Sequence, residues 1–190
     1  RDRSVSRGLG DVYKRQPDVN DVDISPLGYA TFLYDDQGTQ MRQLSAPTSN
    51  RLPVSLDQIP VSLQHAVVAI EDERFYEHNG IDVRGIARAG MKAITTGNFS
   101  EGASTITQQL LKNNVFNAFN ESTIEKIKRK VQEQYLAVKL ETVMSKDAIL
   151  ENYLNTINLG NGYYGVQAAA RGYFNKDVSE LSISECAVIA

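Results

Sequence analysis

Downstream of Pro60 the apolar residues recur at spacings of three and four, the period of an amphipathic helix, so we expect helices through most of this part of the chain. Pro60 suits a first helical turn, and the pattern continues to His78, with Gly80 as its stop. Asp82 is placed to cap a second helix that ends at Gly97.

Serine residues mark the later helix starts. Ser122 and Ser182 are each followed three residues later by a glutamate, the pattern of a capping box, and Ser145 opens a further helix. The helix after Ser122 carries apolar residues at helical spacing: Ile124, Ile127, Val131, Tyr135 and Val138. The helix after Ser145 carries its own apolar stripe: Ile149, Leu150, Tyr153, Leu154 and Ile157. Three glycines then mark a turn-rich break: Gly160, Gly162 and Gly165.

Upstream of Pro60 the pattern changes to two short strand-like runs. Residues 29–34 and 39–44 flank a polar turn at 35–38, which predicts a small β-hairpin. We therefore expect a mainly α fold, with a β-containing entrance segment over residues 17–60 and a helical domain over 61–190. The last helix stops after about two turns at Ala190, so we expect this domain to be truncated at its C-terminus.

The first 16 residues differ from the rest in charge. They hold five basic and two acidic residues with little periodicity, which predicts a non-native or disordered leader. A basic arm beside anionic lipid is the alternative.

Composition narrows the class of protein. The 190 residues suit about one compact domain, and the net charge of −3 argues against a general nucleic-acid binder. Cys186 has no second cysteine to pair with, and two histidines cannot complete a Cys/His zinc site with it. The composition leaves open a metal site formed by carboxylates. No apolar run approaches the roughly 18 residues of a membrane span.

The first polar group that could carry chemistry is on the first predicted helix. Glu71, Phe75 and His78 are spaced to share one helical face. Glu71 follows the apolar run at 66–70, where partial burial would make its carboxylate a stronger general base. A solvated glutamate at a helix edge is the alternative.

Two further segments are rich in groups that bind anions or sugars. Residues 102–113 hold several hydroxyl and amide side chains before Lys112, with Ser104 or Thr105 as the helix cap, and a polar amphipathic helix is the alternative. Cations and a carboxylate share a face of the helix after Ser122: Lys126, Arg129, Lys130 and Glu133. A polyphosphate, a hydrated magnesium ion on a diphosphate, or plain solvation would each suit that face.

Four segments, in order, resemble the signature blocks of one known family: residues 69–80, 102–113, 129–133, and 149–155 continued to Tyr173 and Phe174. Residues 184–190 resemble the opening of a fifth block. The family is the peptidoglycan glycosyltransferase domain, glycosyltransferase family 51, of class A penicillin-binding proteins and monofunctional transglycosylases. Four ordered blocks are far more specific than any single motif.

The resemblance implies a lysozyme-like helical fold whose two lobes enclose a cleft, with one lobe partly sunk in the outer leaflet of the cytoplasmic membrane. The implied reaction polymerises lipid-linked disaccharide-peptide, lipid II, into glycan strands, with inversion at the anomeric carbon and release of undecaprenyl diphosphate. The implied location is the extracytoplasmic face of the cell membrane, through a membrane segment outside this chain. A transpeptidase domain could follow in the full-length protein.

The resemblance also assigns roles residue by residue. Glu71 matches the general base and Glu133 the second functional carboxylate, which acts directly or through a divalent cation such as Mg or Mn. Basic positions that would bind the diphosphate are matched by Lys112, Arg129 and Lys130. Other cleft positions of the family are matched by Asp72, Ser104, Thr105 and Gln109.

Two other classes of protein share part of this pattern. A lysozyme-like glycan hydrolase would use the same fold and two carboxylates, but it needs no basic strip for a diphosphate. A non-catalytic cell-wall assembly module would keep the apolar stripes and could lose Glu71 without consequence.

Overall fold

A computed structural model describes residues 19, 22–26, 28–44, 50–97, 102–116 and 121–190. The predicted leader at 1–16 lies outside these residues. Two strands come first, β1 (Thr31–Tyr34) and β2 (Gln40–Leu44). The helices that follow are α1 (Val61–Glu71), α2 (Val83–Thr96), α3 (Ile106–Asn114), α4 (Thr123–Val143), α5 (Lys146–Leu154), α6 (Val166–Phe174) and α7 (Ile183–Ile189). Short 3₁₀ turns occupy Leu56–Gln58 and Val178–Glu180. The predicted mainly α fold with an N-terminal hairpin is confirmed.

The hairpin forms where the sequence predicts it. The strands pair antiparallel, with Thr31 opposite Leu44 and Leu33 opposite Arg42. Asp35 shapes the turn, because its carboxylate accepts from the backbone N–H of Thr39 at 2.7 Å. The turn places the two strands side by side at the start of the domain.

Helix α3 lies at the centre of the core. It packs against both α4 and α5, and α1 packs against α7. Residues with no measurable exposure come from each of these central helices: Leu63 of α1, Ile106, Leu110 and Leu111 of α3, Leu136 of α4, and Ile149, Leu150 and Leu154 of α5. Burying one such side chain contributes roughly 1.5–3 kcal/mol, so packing holds α3 firmly against its neighbours.

Helix α1 ends earlier than predicted. It stops at Glu71, where Asp72 leaves the helical region with φ −158° and ψ 72°. Phe75 and His78 therefore do not share a helical face with Glu71, and that expectation is wrong. The cause is tertiary, because the Asp72 carboxylate accepts hydrogen bonds from His78 and from the backbone N–H of Ile106 at the start of α3.

The turn after α1 rests on α4 through Gly80. Its φ is +86°, and a Cβ built there would lie 2.5 Å from the carbonyl carbon and oxygen of Ala137. A side chain would overlap the α4 backbone, so a glycine is required for this close approach.

The predicted capping boxes are confirmed. The Ser122 and Ser182 side chains each accept from the backbone N–H three residues on, and a glutamate returns the bond. The buried face of α4 differs from the apolar stripe read in the sequence. Ile124 and Ile127 are exposed, whereas Glu133 and three apolar residues are buried: Leu136, Ala137 and Leu140.

No helix within the described ranges combines the length and apolar character needed to cross a bilayer.

Candidate active site

Glu71 is the last residue of α1. It is exposed, so the predicted partial burial of its side chain is wrong. Its Oε2 accepts a hydrogen bond from Gln109 Nε2 at 2.8 Å. Gln109 in turn accepts at Oε1 from the hydroxyl of Tyr153 at 3.1 Å. These bonds tie the predicted base to α3 and α5.

Asp72 and His78 join the end of α1 to the start of α3. Asp72 Oδ2 lies 2.9 Å from His78 Nε2 and accepts from the Ile106 backbone N–H at 3.0 Å. His78 Nδ1 accepts from the backbone N–H of Gly80 at 3.2 Å, so the ring proton is on Nε2, facing Asp72. Asp72 is buried, and its contacts join the end of α1 to the start of α3.

Thr105 and Ser104 occupy the start of α3 and have different partners. Thr105 is the N-cap: its hydroxyl accepts from the Gln108 backbone N–H at 3.2 Å and donates to the Gly80 carbonyl at 2.8 Å. The Ser104 hydroxyl accepts instead from Lys130 Nζ at 2.6 Å. Ser104 therefore connects the loop before α3 to the cations of α4.

Glu133 is fully buried between two cations of its own helix. Its Oε2 accepts from Lys130 Nζ at 3.0 Å, and its Oε1 contacts the Arg129 guanidinium. Arg129 also donates from Nε to both carboxylate oxygens of Glu121, at 2.9 and 2.8 Å. A carboxylate taken out of water needs such partners, because an unpaired buried charge is strongly unfavourable.

The cationic side chains line one cavity of about 520 Å³. Its basic lining consists of Lys112, Lys126, Arg129 and Lys130, with Glu133 beneath them. Within the described residues, neither Lys112 nor Lys126 has an ion-pair partner, so both ammonium groups are available to a bound anion.

Glu71 lines two smaller cavities beside the basic one. The first, of about 110 Å³, shares Ser104 with the basic cavity, and the second, of about 240 Å³, shares Gln109 with it. Tyr153 and Asn113 also line the second cavity. The structure thus brings Glu71 and the cations to adjoining spaces on either side of Gln109 and Ser104. Asp72 and Thr105 are almost fully buried at the edge of the first cavity.

The described residues offer a divalent cation no ready ligand set. No cluster of three or more His, Cys, Asp or Glu side chains among them is arranged to hold a metal ion. Both Glu133 oxygens are already taken by Arg129 and Lys130. A Mg or Mn ion stays a prediction from the family resemblance.

Two residues of this site were missed from the sequence. The sequence places Tyr153 in an apolar stripe and in the fourth family block, with no role in the site. A buried phenol needs a hydrogen-bond partner, and that need is the signal that could single it out. Glu121 precedes the α4 capping box and gave no signal of its own.

Comparison with known proteins identifies the family of this chain. The family model described as Transglycosylase matches residues 37–190, and the chain belongs to that family. Penicillin-binding protein 1A of Clostridium novyi (strain NT) is 45% identical over 94% of this chain and 21% of its own length. Penicillin-binding protein 1A of Escherichia coli (strain K12) is 43% identical over 96% of this chain and 22% of its own length.

A third relative, penicillin-binding protein 1F of Bacillus subtilis (strain 168), is 45% identical over 83% of this chain and 21% of its own length. The chain spans about a fifth of the length of these three relatives.

Proposed function

We propose that this protein is a peptidoglycan glycosyltransferase. It polymerises lipid-linked disaccharide-peptide, lipid II, into glycan strands, inverts the anomeric carbon and releases undecaprenyl diphosphate. The observation that carries the proposal is the pairing of an exposed carboxylate, Glu71, with an adjoining cavity lined by four cationic side chains. A sugar hydroxyl that must lose a proton and a leaving diphosphate that must be neutralised require these two parts.

Glu71 acts as the general base. It takes the proton from the 4-hydroxyl of the acceptor sugar as that oxygen forms its bond to the anomeric carbon of the donor. The bond from that carbon to the diphosphate oxygen breaks with its electron pair, so the α-linked donor gives a β-linked product in a single displacement. Inverting glycosidases use the same logic, with water in place of the sugar hydroxyl.

The cations of α3 and α4 stabilise the departing diphosphate. Lys112, Arg129 and Lys130 supply donors that are in position before the reaction, which is where such groups lower a barrier most. Glu133 holds Arg129 and Lys130 in place from beneath, and we assign it this supporting role in leaving-group departure. A diphosphate is already a weak base, so it needs charge neutralisation more than protonation.

Of the remaining residues matched to the family's cleft, two contact the substrate and two act indirectly through the surrounding structure. Ser104 and Gln109 line the spaces on both sides of the reaction centre and contact substrate there. Asp72 and Thr105 are buried and act through the geometry of the turn after α1.

The substrate's lipid requires a membrane, and helix α2 has a surface suited to one. Val83, Met91 and Ile94 are exposed on α2 beside the basic residues Arg84 and Arg88. Apolar side chains flanked by cations are typical of helices that lie in the interface of an anionic bilayer. We assign this surface to the extracytoplasmic face of the cell membrane, with a transpeptidase domain elsewhere in the full-length chain.

The test is incubation of the full-length protein with labelled lipid II in detergent micelles. We expect glycan polymer and one undecaprenyl diphosphate for each new glycosidic bond. A protein that leaves lipid II intact but creates new reducing ends in preformed glycan is a hydrolase, and one that does neither is an assembly module. Either result would overturn the proposal.

A further inference from the structure

One intermediate side chain links the Glu71 carboxylate to a buried phenol hydroxyl. Tyr153 lies on α5 with 2% of its surface exposed. Its hydroxyl lies 3.1 Å from Gln109 Oε1, and Gln109 Nε2 lies 2.8 Å from Glu71 Oε2. Three side chains from α5, α3 and α1 therefore form one hydrogen-bonded row that ends at the base.

The groups at the two ends of this row determine which atoms donate and which accept along it. Burial raises the pKa of Tyr153 above its ordinary value, and the charges of Glu71 and Asp72 raise it further, so the hydroxyl keeps its proton at neutral pH. The Glu71 carboxylate can only accept. With a donor at one end and an acceptor at the other, the Gln109 amide satisfies both when its oxygen faces Tyr153 and its NH₂ faces Glu71.

The opposite orientation of the amide would be unfavourable. It would place the Gln109 carbonyl oxygen against the Glu71 carboxylate, two acceptors with no proton between them. Among the described residues, Gln109 is the one side chain that hydrogen-bonds to Glu71. Loss of the correct orientation would therefore leave the carboxylate without a partner to hold it.

We propose that Tyr153 is a positioning residue for the general base. Its hydroxyl orients the Gln109 amide, which holds Glu71 through Oε2 and leaves Oε1 free to receive the proton of the acceptor hydroxyl. Tyr153 lines the cavity of about 240 Å³ beside Glu71, but its hydroxyl is engaged by Gln109, so it acts on the base through that amide. This inference rests on the proposed glycosyltransferase function and adds a residue to it.

The experiment is a double-mutant cycle on the full-length protein polymerising lipid II. Tyr153→Phe keeps the buried ring and removes the hydroxyl, and Gln109→Met removes the amide that links it to Glu71. We expect Tyr153→Phe to lower kcat about tenfold with KM within twofold of the parent, because an unfixed base costs turnover more than binding. In the Gln109→Met background the same change should have no further effect on kcat.

A matched control is Tyr76→Phe, which also removes a phenol hydroxyl from a hydrogen bond, here to Asp147 at 3.4 Å. We expect it to leave kcat unchanged. A Tyr153→Phe variant with parental kcat would overturn the inference. So would an equal loss in both backgrounds, because Tyr153 would then act independently of Gln109.

Crystal structures give a readout that needs no turnover, which separates this inference from the proposed function. In Tyr153→Phe we expect the Gln109 side chain to leave its position 2.8 Å from Glu71. If it stays in place the inference is wrong, whether or not the parent polymerises lipid II. If the parent makes no polymer while Gln109 moves in the variant, the proposed function fails and the positioning of Glu71 by Tyr153 stands.

Discussion

Replacing Lys130 with methionine tests the part of the site that faces the leaving group. Lys130→Met keeps a side chain of similar length and removes the ammonium that lies 2.6 Å from Ser104 Oγ and 3.0 Å from Glu133 Oε2. Glu133 keeps its contact with Arg129, so the buried carboxylate is not left unpaired. The substitution therefore removes one cation from the cavity and leaves Glu133 paired with Arg129.

The size of the effect follows from the charges. Two unit charges about 4 Å apart attract by about 4 kcal/mol at an effective dielectric constant of about 20. Glu133 already neutralises part of the Lys130 charge, so less remains for the diphosphate. We expect a loss of about 2–3 kcal/mol of transition-state stabilisation, which lowers kcat/KM by about 30- to 150-fold. Because 42% of the Lys130 side chain is exposed, its ion pair adds only about 1 kcal/mol to folding.

The assay is polymerisation of lipid II, followed as kcat/KM, with thermal unfolding of each variant measured in parallel. Lys139→Met is the matched control, because Lys139 is on the same helix but lies over the Tyr135 ring, outside the cavity. We expect the control to retain parental kcat/KM. A Lys130→Met variant within twofold of the parent would refute the assignment of this cation to the diphosphate.

Two further predictions concern stability, measured by thermal and denaturant unfolding of the purified protein. Gly80→Ala should lower the free energy of unfolding by about 3–4 kcal/mol, because the left-handed backbone is strained and the new Cβ meets Ala137. Gly38→Ala, with φ +79° and open space around it, should lower it by only about 1 kcal/mol. Equal losses would contradict the close approach of Gly80 to α4. Hydrogen bonding from Arg74 lowers the pKa of Asp82 from 3.8 to about 2. Asp82→Asn should therefore cost about 1–2 kcal/mol at pH 7. The difference from the parent should shrink as the pH falls from 3.8 and vanish only below about pH 2. A pH-independent difference would show that the ion pair is not its source.

Helix starts could be predicted from the sequence because their causes are local. Ser122, Ser145 and Ser182 each accept from a backbone N–H three residues away, so the motif contains both partners. The end of α1 could not be predicted in this way. Asp72 binds the backbone of Ile106, 34 residues further on, and only the folded chain brings the two together.

The same difference between local and long-range contacts applies to the candidate site. The family resemblance singled out Gln109 and Lys130, but not what each of them touches. Lys130 meets Ser104 across 26 residues, and Gln109 meets Tyr153 across 44. Spacing along one helix carries no information on such pairs. The full burial of Glu133 could not be predicted for a related reason. The two cations that flank it are themselves held by Glu121 and by Ser104 of the loop before α3.

The proposed reaction depends on the Glu71 carboxylate removing the proton from the acceptor hydroxyl. The most direct measurement compares glycan polymer formed from lipid II by the parent, by Glu71→Gln, and by Glu77→Gln as an exposed control six residues further along. A general base contributes about 10²- to 10⁴-fold, so Glu71→Gln should form less than about 1% of the parental polymer with an unchanged unfolding temperature, while the control polymerises normally. Polymer formed by Glu71→Gln at the parental rate would show that Glu71 is not the base.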